Sequence, residues 1–267
     1  MTSPRPDTSP PASPDVPTPV AVSVLLADVL DGPVSAWQVV HRSPCTVHLA
    51  RDDDPAAQLC LAAPGAVRLP RSVLAPVLPA CGRGATAYVG GGGLRCGTLR
   101  LRPRRWWRPP RPEGLPAPAP AALHRVRVVL RDGRPARLLE AVPSLGGTLD
   151  PAALVGAGPG TTPAGDDLLA GALIAGHANA DPRLAGWRAA TRARLHRTTA
   201  VSSAMLHDAL AGWATPQLAG FVTAVCRGGD VEGSLLALLR VGHTSGAACA
   251  RGALHAWESA AQSGAAA

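Results

Sequence analysis

Gly156-Ala157-Gly158-Pro159-Gly160-Thr161-Thr162-Pro163-Ala164-Gly165-Asp166-Asp167 is the stretch on which the fold of this 267-residue chain turns. Pro163 suits the first position of a helix, where its missing N–H is no loss, and Thr162 before it is a good N-cap. The spacing therefore predicts three glycines running straight into a helix N-terminus, with the helix covering 163–178. Its Ala170, Gly171, Ala172, Ala175 and Gly176 leave it small on several faces. Small faces let neighbours approach closely, so this helix is expected at the centre of others. Further helices are expected near 182–212, 216–227, 231–241 and 246–260.

Upstream the pattern changes. Between Val20 and Leu101, short β-prone runs at 34–41, 46–49, 59–62, 66–69, 85–89 and 94–101 alternate with Gly, Pro and Asp turns. The chain thus reads as α+β: a mainly β, barrel-like N-terminal domain (20–101), then a C-terminal helical domain (122–260) with Gly-rich loops at helix N-termini. Residues 102–121, dense in Pro and Arg, are the expected connector. Residues 1–19, with seven prolines, are an expected disordered tail, and 261–267 an expected frayed end. Leu123–Leu130 fits either a strand or a helix. Gly90–Gly93 lies between two strand runs and not ahead of a helix, which favours a hairpin loop over a phosphate site.

Composition removes several function classes. All 26 basic residues are arginine, so lysine Schiff-base chemistry and the lysine-dependent phosphate loop are excluded. With 8 aromatic residues, stacking platforms for bases are scarce. The net charge of +8 is local: Arg100, Arg102, Arg104, Arg105, Arg108 and Arg111 share one acid-free stretch, leaving 20 arginines against 18 acids elsewhere. Together with Trp106 and Trp107, that stretch is a basic–aromatic surface for an acidic partner or nucleic acid, or a solvated strand end entering the connector; the second is favoured. Six cysteines without CxxC spacing read as small buried residues in a reducing cytoplasm. The N-terminus lacks the pattern of a signal peptide, and the apolar runs 20–30 and 168–178 are too short to span a bilayer. A cytoplasmic protein without a membrane partner is expected.

The chemistry concentrates in two loops. Gly156, Gly158, Gly160, Thr161 and Thr162 form a candidate cradle for a phosphate or carboxylate, because bare N–H groups and a helix N-terminus favour an anion. Asp166 and Asp167 in the first turn either complement the helix dipole or take part in the site. An acid pair beside an anion needs a bridge, such as Mg²⁺ or the N–H groups of an amide substrate. Consecutive helical residues point about 100° apart, so one Asp contacts the ligand and the other orients the loop. Catalytic candidates are Asp166, Asp167 and His243, with Asp166 and Asp167 also the candidate Mg²⁺ ligands. No other cofactor is indicated.

His177 lies roughly 16 Å along the same helix and is read as structural. The second loop, Gly242-His243-Thr244-Ser245-Gly246, echoes the first: Gly165/Gly171 and Gly246/Gly252 are both six apart, each pair ending before Ala-Leu. The echo suggests two loops facing one pocket, with Thr244 and Ser245 either N-caps or ligand groups. Thr199, Ser203 and His207 form a polar stripe, with Ser202 beside it, read as small hydroxyls permitting close packing. No GxSxG, HExxH or Ser-His-Asp constellation appears.

The stretch GAGPGTTPAGDDLLAGAL, followed by VGHTSGAACARGAL, resembles the family of the AllH-type subunit of oxamate carbamoyltransferase. The resemblance implies phosphate-dependent carbamoyl transfer between oxalurate and phosphate, giving oxamate and carbamoyl phosphate in purine (allantoin) catabolism. It also implies partner subunits in a carbamoyltransferase assembly. The competing classes are a non-catalytic subunit that senses a small anion and, more weakly, an arginine-rich nucleic-acid binder.

Overall fold

The computed structural model describes residues 16–51, 53–54, 57–131, 142–143 and 149–265. It is α+β, with an eight-stranded closed barrel followed by a helical part. The barrel strands are β1 (Thr18–Ser23), β2 (Ser35–Arg42), β3 (Thr46–Ala50), β4 (Gln58–Ala62), β5 (Ser72–Leu74), β6 (Thr86–Gly90), β7 (Gly93–Cys96) and β8 (Leu99–Trp107), in the order β1-β5-β4-β3-β2-β6-β7-β8. A short helix α1 (Ala27–Asp31) follows β1. Alternation fills the interior: Val22, Trp37, Val39, Val47, Leu49, Leu61 and Val89 point inward and are fully buried. Gly91 and Gly92, both at positive φ, turn the β6–β7 hairpin, as the glycine run predicts.

Three expectations at the barrel need correction. The run 66–69 is not a strand; Pro64, Gly65 and Pro70 bracket it, and the strand forms at Ser72–Leu74 instead. The run 94–101 is two strands, folded back at Gly97 with φ +57°. The connector begins later than 102, because β8 continues to Trp107 alongside β1, from Thr18↔Leu101 to Ser23↔Trp107. Its arginines tolerate a strand because Arg100 and Arg102 project into solvent while Leu101 faces the core. Of the expected tail, 1–15 lies outside the described residues, and Thr18 and Pro19 already open β1.

The helices are α2 (Pro120–Arg131), α3 (Pro151–Leu154), α4 (Ala164–Ala178), α5 (Leu184–Arg192), α6 (Ala200–Leu210), α7 (Pro216–Arg227), α8 (Val231–Leu239) and α9 (Ser245–Ala265). The ambiguous segment 123–130 is helical, within α2. The expected helix 182–212 is broken in two because Thr199 caps a new start, accepting from the Ser202 N–H at 3.1 Å. The last helix runs to Ala265, into the segment expected to be frayed. No helix among the described residues is long and apolar enough to cross a membrane.

α4 is buried along its length save His177. It meets α9 backbone to backbone. A Cβ on Gly171 would lie 2.0 Å from the Cys249 carbonyl oxygen, and one on Gly252 1.8 Å from that of Leu168. The outer face of β3 and β4 is covered as well: His48, Gln58 and Cys60 are buried beneath Ala204, Met205 and Asp208 of α6. There Arg71 bonds the buried Asp208 at 2.8 Å. The connector is stitched to the helices by Leu115 N–H to Ala178 O (2.8 Å) and Ala214 N–H to Pro110 O (3.0 Å). Barrel and helices thus share a seam, and the site lies in it.

Candidate active site

Gly156, Gly158 and Gly160 all adopt positive φ, which admits glycine with little strain. They do different work. Gly156 is pressed against the Arg197 carbonyl, 2.5 Å from where a Cβ would be, and its N–H donates to Asp166 Oδ1 at 2.8 Å. Gly158 lies over the Ala164 N–H at the start of α4, and Gly160 faces open space. Among the described residues, no protein acceptor takes the N–H groups of Gly158, Gly160, Thr161 or Thr162.

α4 starts one residue later than the sequence suggests. Pro163 occupies the cap position without a side-chain cap bond, and the Thr162 hydroxyl turns instead to Ser245 Oγ, 3.3 Å away. Proline's fixed φ can serve on either side of the boundary, so the hydroxyl is released for another contact.

The two aspartates divide as their 100° offset requires. Asp166 is completely buried, with Oδ1 taken by Gly156 N–H and Oδ2 by the hydroxyls of Thr198 and Ser202, the latter at 2.7 Å. It ties the glycine loop to the start of α6 and does not line the cavity. Asp167 is equally buried, but its Oδ2 has no hydrogen-bond partner. Burial pushes its carboxyl up to about 7; the hydroxyls of Ser245 and Thr162 pull it down and the charge of Asp166 raises it. With Asp166 spent on three protein donors, joint Mg²⁺ coordination by the pair does not fit these residues. Among the described residues no three His, Cys, Asp or Glu side chains cluster in a metal-binding arrangement.

Asp167, Thr161, Thr162 and Ser245 line a cavity of about 380 Å³ between barrel and helices. Its walls are mostly apolar, including Leu69, Ile174 and Met205, with polar groups confined to a few positions. Of the other sequence candidates, Gly242 reaches the cavity, Thr244 accepts the Ala248 N–H through its carbonyl, and His243 is exposed and outside the lining. His177 is held by Arg188 at 2.9 Å, in keeping with a structural role.

The hydroxyl stripe needs correction. Thr199 and Ser202 are hydrogen-bonding groups and not packing spacers: Thr199 donates to the Thr161 carbonyl at 2.5 Å, and Ser202 to Asp166. Thr198 was not legible as a site residue; the only local signal was a run of hydroxyls just before a helix start. Of the cysteines, Cys60, Cys96, Cys226 and Cys249 are buried as expected, whereas Cys45 is exposed and Cys81 half-buried.

No curated protein and no solved structure gives a significant match to the chain. The stretch that holds both loops and the α4–α9 pair, residues 154–257, matches the model of the family described as oxamate carbamoyltransferase subunit AllH, and over this stretch the chain is AllH-like.

Proposed function

We propose that the chain is a subunit of a phosphate-dependent carbamoyltransferase acting on a small carboxylate or amide of the oxalurate and oxamate type, within allantoin catabolism. One observation carries it: a buried carboxyl, Asp167, whose Oδ2 has no partner, at a cavity where the starts of α4 and α9 bring Thr162 and Ser245 together. Two helix N-termini and unpaired loop amides favour an anion. A fully ionised aspartate would oppose one. A carboxyl pushed up to about 7 can hold its proton near neutrality, and in that form donates a hydrogen bond instead of repelling.

The chemistry follows from that protonation state. A phosphate oxygen attacks the carbamoyl carbon of oxalurate, the carbon–nitrogen bond breaks, and the departing nitrogen takes the proton of Asp167 to leave oxamate and carbamoyl phosphate. In reverse, the Asp167 carboxylate takes that proton back. Asp166 acts at one remove by fixing the glycine loop. The family description names a subunit, so partner subunits complete the assembly.

Calorimetric titration with phosphate, carbamoyl phosphate, oxamate and oxalurate tests the site, with Gly158→Val to crowd the start of α4. Binding of at least one ligand, lost in the variant, is expected. No binding, or binding indifferent to Gly158→Val, overturns the cradle. If Asp167→Asn retains binding and the assembled enzyme retains turnover, the non-catalytic subunit replaces the transferase.

A further inference from the structure

The cavity has a second wall that lies outside residues 154–257. β2 and β3 pair antiparallel with Val39 opposite Leu49, both inward and fully buried. Strict alternation would put Val40 outside the barrel and His41 inside. The register shifts between Val39 and His41, so that His41 comes opposite His48. Such a bulge re-aims one side chain at the cost of a ladder bond. Here it sets two imidazoles edge to face, 5.6 Å between centroids, and both line the cavity.

His48 is buried, and its Nε2 has only the Cys60 sulfur at 3.8 Å, a weak partner. Burial, reinforced by His41, lowers its pKa to about 4, so at neutrality it is an uncharged ring with one donor and one acceptor. Nearby Ser43 and Thr46 also line the cavity, with their hydroxyls 2.8 Å apart.

We propose that His41 and His48 contact the acid-amide ligand of the same site, and not its phosphate, so that the barrel is one of the site's two jaws. This rests on the site proposed above and adds the barrel residues that read its ligand. Phosphate offers mainly acceptors, whereas an acid amide presents both N–H donors and carbonyl acceptors. The latter matches a neutral imidazole, hydroxyls and a carboxyl that titrates near neutrality.

The experiment is calorimetric titration of the full chain with oxamate and, separately, inorganic phosphate, using wild type, His41→Gln, His48→Gln and Asp167→Asn. Loss of one hydrogen bond should weaken oxamate about 3- to 10-fold in each histidine variant while moving phosphate by less than about twofold. Oxamate should also protect both histidines from diethyl pyrocarbonate. Should the buried His48→Gln fail to fold, the half-buried His41→Gln and the protection measurement decide alone. Wild-type oxamate affinity in the folded histidine variants, with affinity lost in Asp167→Asn, overturns the barrel jaw and leaves the site standing. Wild-type affinity in Asp167→Asn as well, or no binding by the wild type, overturns both.

Discussion

The barrel and the helical part are packed by opposite means. In the barrel, strands about 5 Å apart send alternate Val, Leu and Trp side chains into a shared interior, and the backbones never touch across it. In the helical part, the central contact is backbone on backbone, with Gly171 under the Cys249 carbonyl and Gly252 under that of Leu168. A side-chain core relaxes around a lost methyl group; a glycine crossing leaves nothing to relax. The difference also separates two meanings of glycine within one motif. Gly156, Gly165, Gly171, Gly246 and Gly252 are where other backbone approaches, whereas Gly160 faces open space.

The largest expected effect tests that contrast. Gly252→Ala puts a methyl carbon within 2 Å of a carbonyl oxygen and should lower the unfolding free energy by more than about 3 kcal/mol, with Gly171→Ala similar. Gly186→Ala, in α5 where a Cβ meets nothing, should instead stabilise by about 0.5–1 kcal/mol through helix propensity. Val39→Ala in the barrel should cost an intermediate, ordinary core amount, about 2 kcal/mol. Urea denaturation of the four variants gives the order. Equal costs for Gly252→Ala and Gly186→Ala would erase the distinction.

How much of this was legible follows from the range of each signal. Local periodicity marked most of the strands, the Thr162-Pro163 start marked the α4 helix, and the six-residue glycine spacing marked the two helices that cross. The convergence of Thr162 with Ser245 was suggested by the echo of the two loops. What stayed hidden depends on contacts distant in sequence. That Asp166 spends itself on Thr198 and Ser202, more than thirty residues away, is fixed by how α6 docks on α4. The β1–β8 closure kept residues 102–107 in a strand despite their charge. The bulge at Val39/His41 depends on pairing with β3, and alternation along β2 by itself would put His41 on the opposite face.

The aspartate pair sharpens the comparison at the site itself. Asp166→Asn turns an acceptor-only group among three donors into one that carries its own N–H donors, and should cost about 2–3 kcal/mol. Asp167→Asn should behave differently because the folded carboxyl sits at about 7 against an ordinary 3.8. The fold favours its neutral form. Its contribution is therefore fully present below about pH 4 and lost as pH rises through 7. The variant should approach and then exceed wild-type stability across that window, by up to a few kcal/mol above pH 7. Asp208, raised to about 6 by burial despite Arg71, titrates in the same range, so the difference between variant and wild type is the quantity to follow. Melting temperatures measured from pH 4 to 8 decide; parallel curves would mean that Asp167 stays ionised and is no proton donor.

The smallest effect on the fold is expected at the arginine-rich strand. Arg100, Arg102, Arg104, Arg105 and Arg108 are exposed, and Trp106 is 44% exposed. Among the described residues, no ion pair engages Arg102, Arg104 or Arg105. The combined Arg102/Arg104/Arg105→Ala variant should therefore shift stability by no more than about 0.5 kcal/mol per site. Small-anion binding should persist, since none of the three lines the cavity in the seam. The stretch lies on the outside of a closed barrel with no helix to enter a groove, so only weak, sequence-blind binding to nucleic acid is expected. Its log-log salt slope should fall by up to about 0.9 for each phosphate contact removed. Mobility shifts over a salt series on both proteins measure this. Tight, salt-resistant, sequence-selective binding by the wild type would shift the function from the seam to the barrel's outer face and leave the glycine loops a packing device.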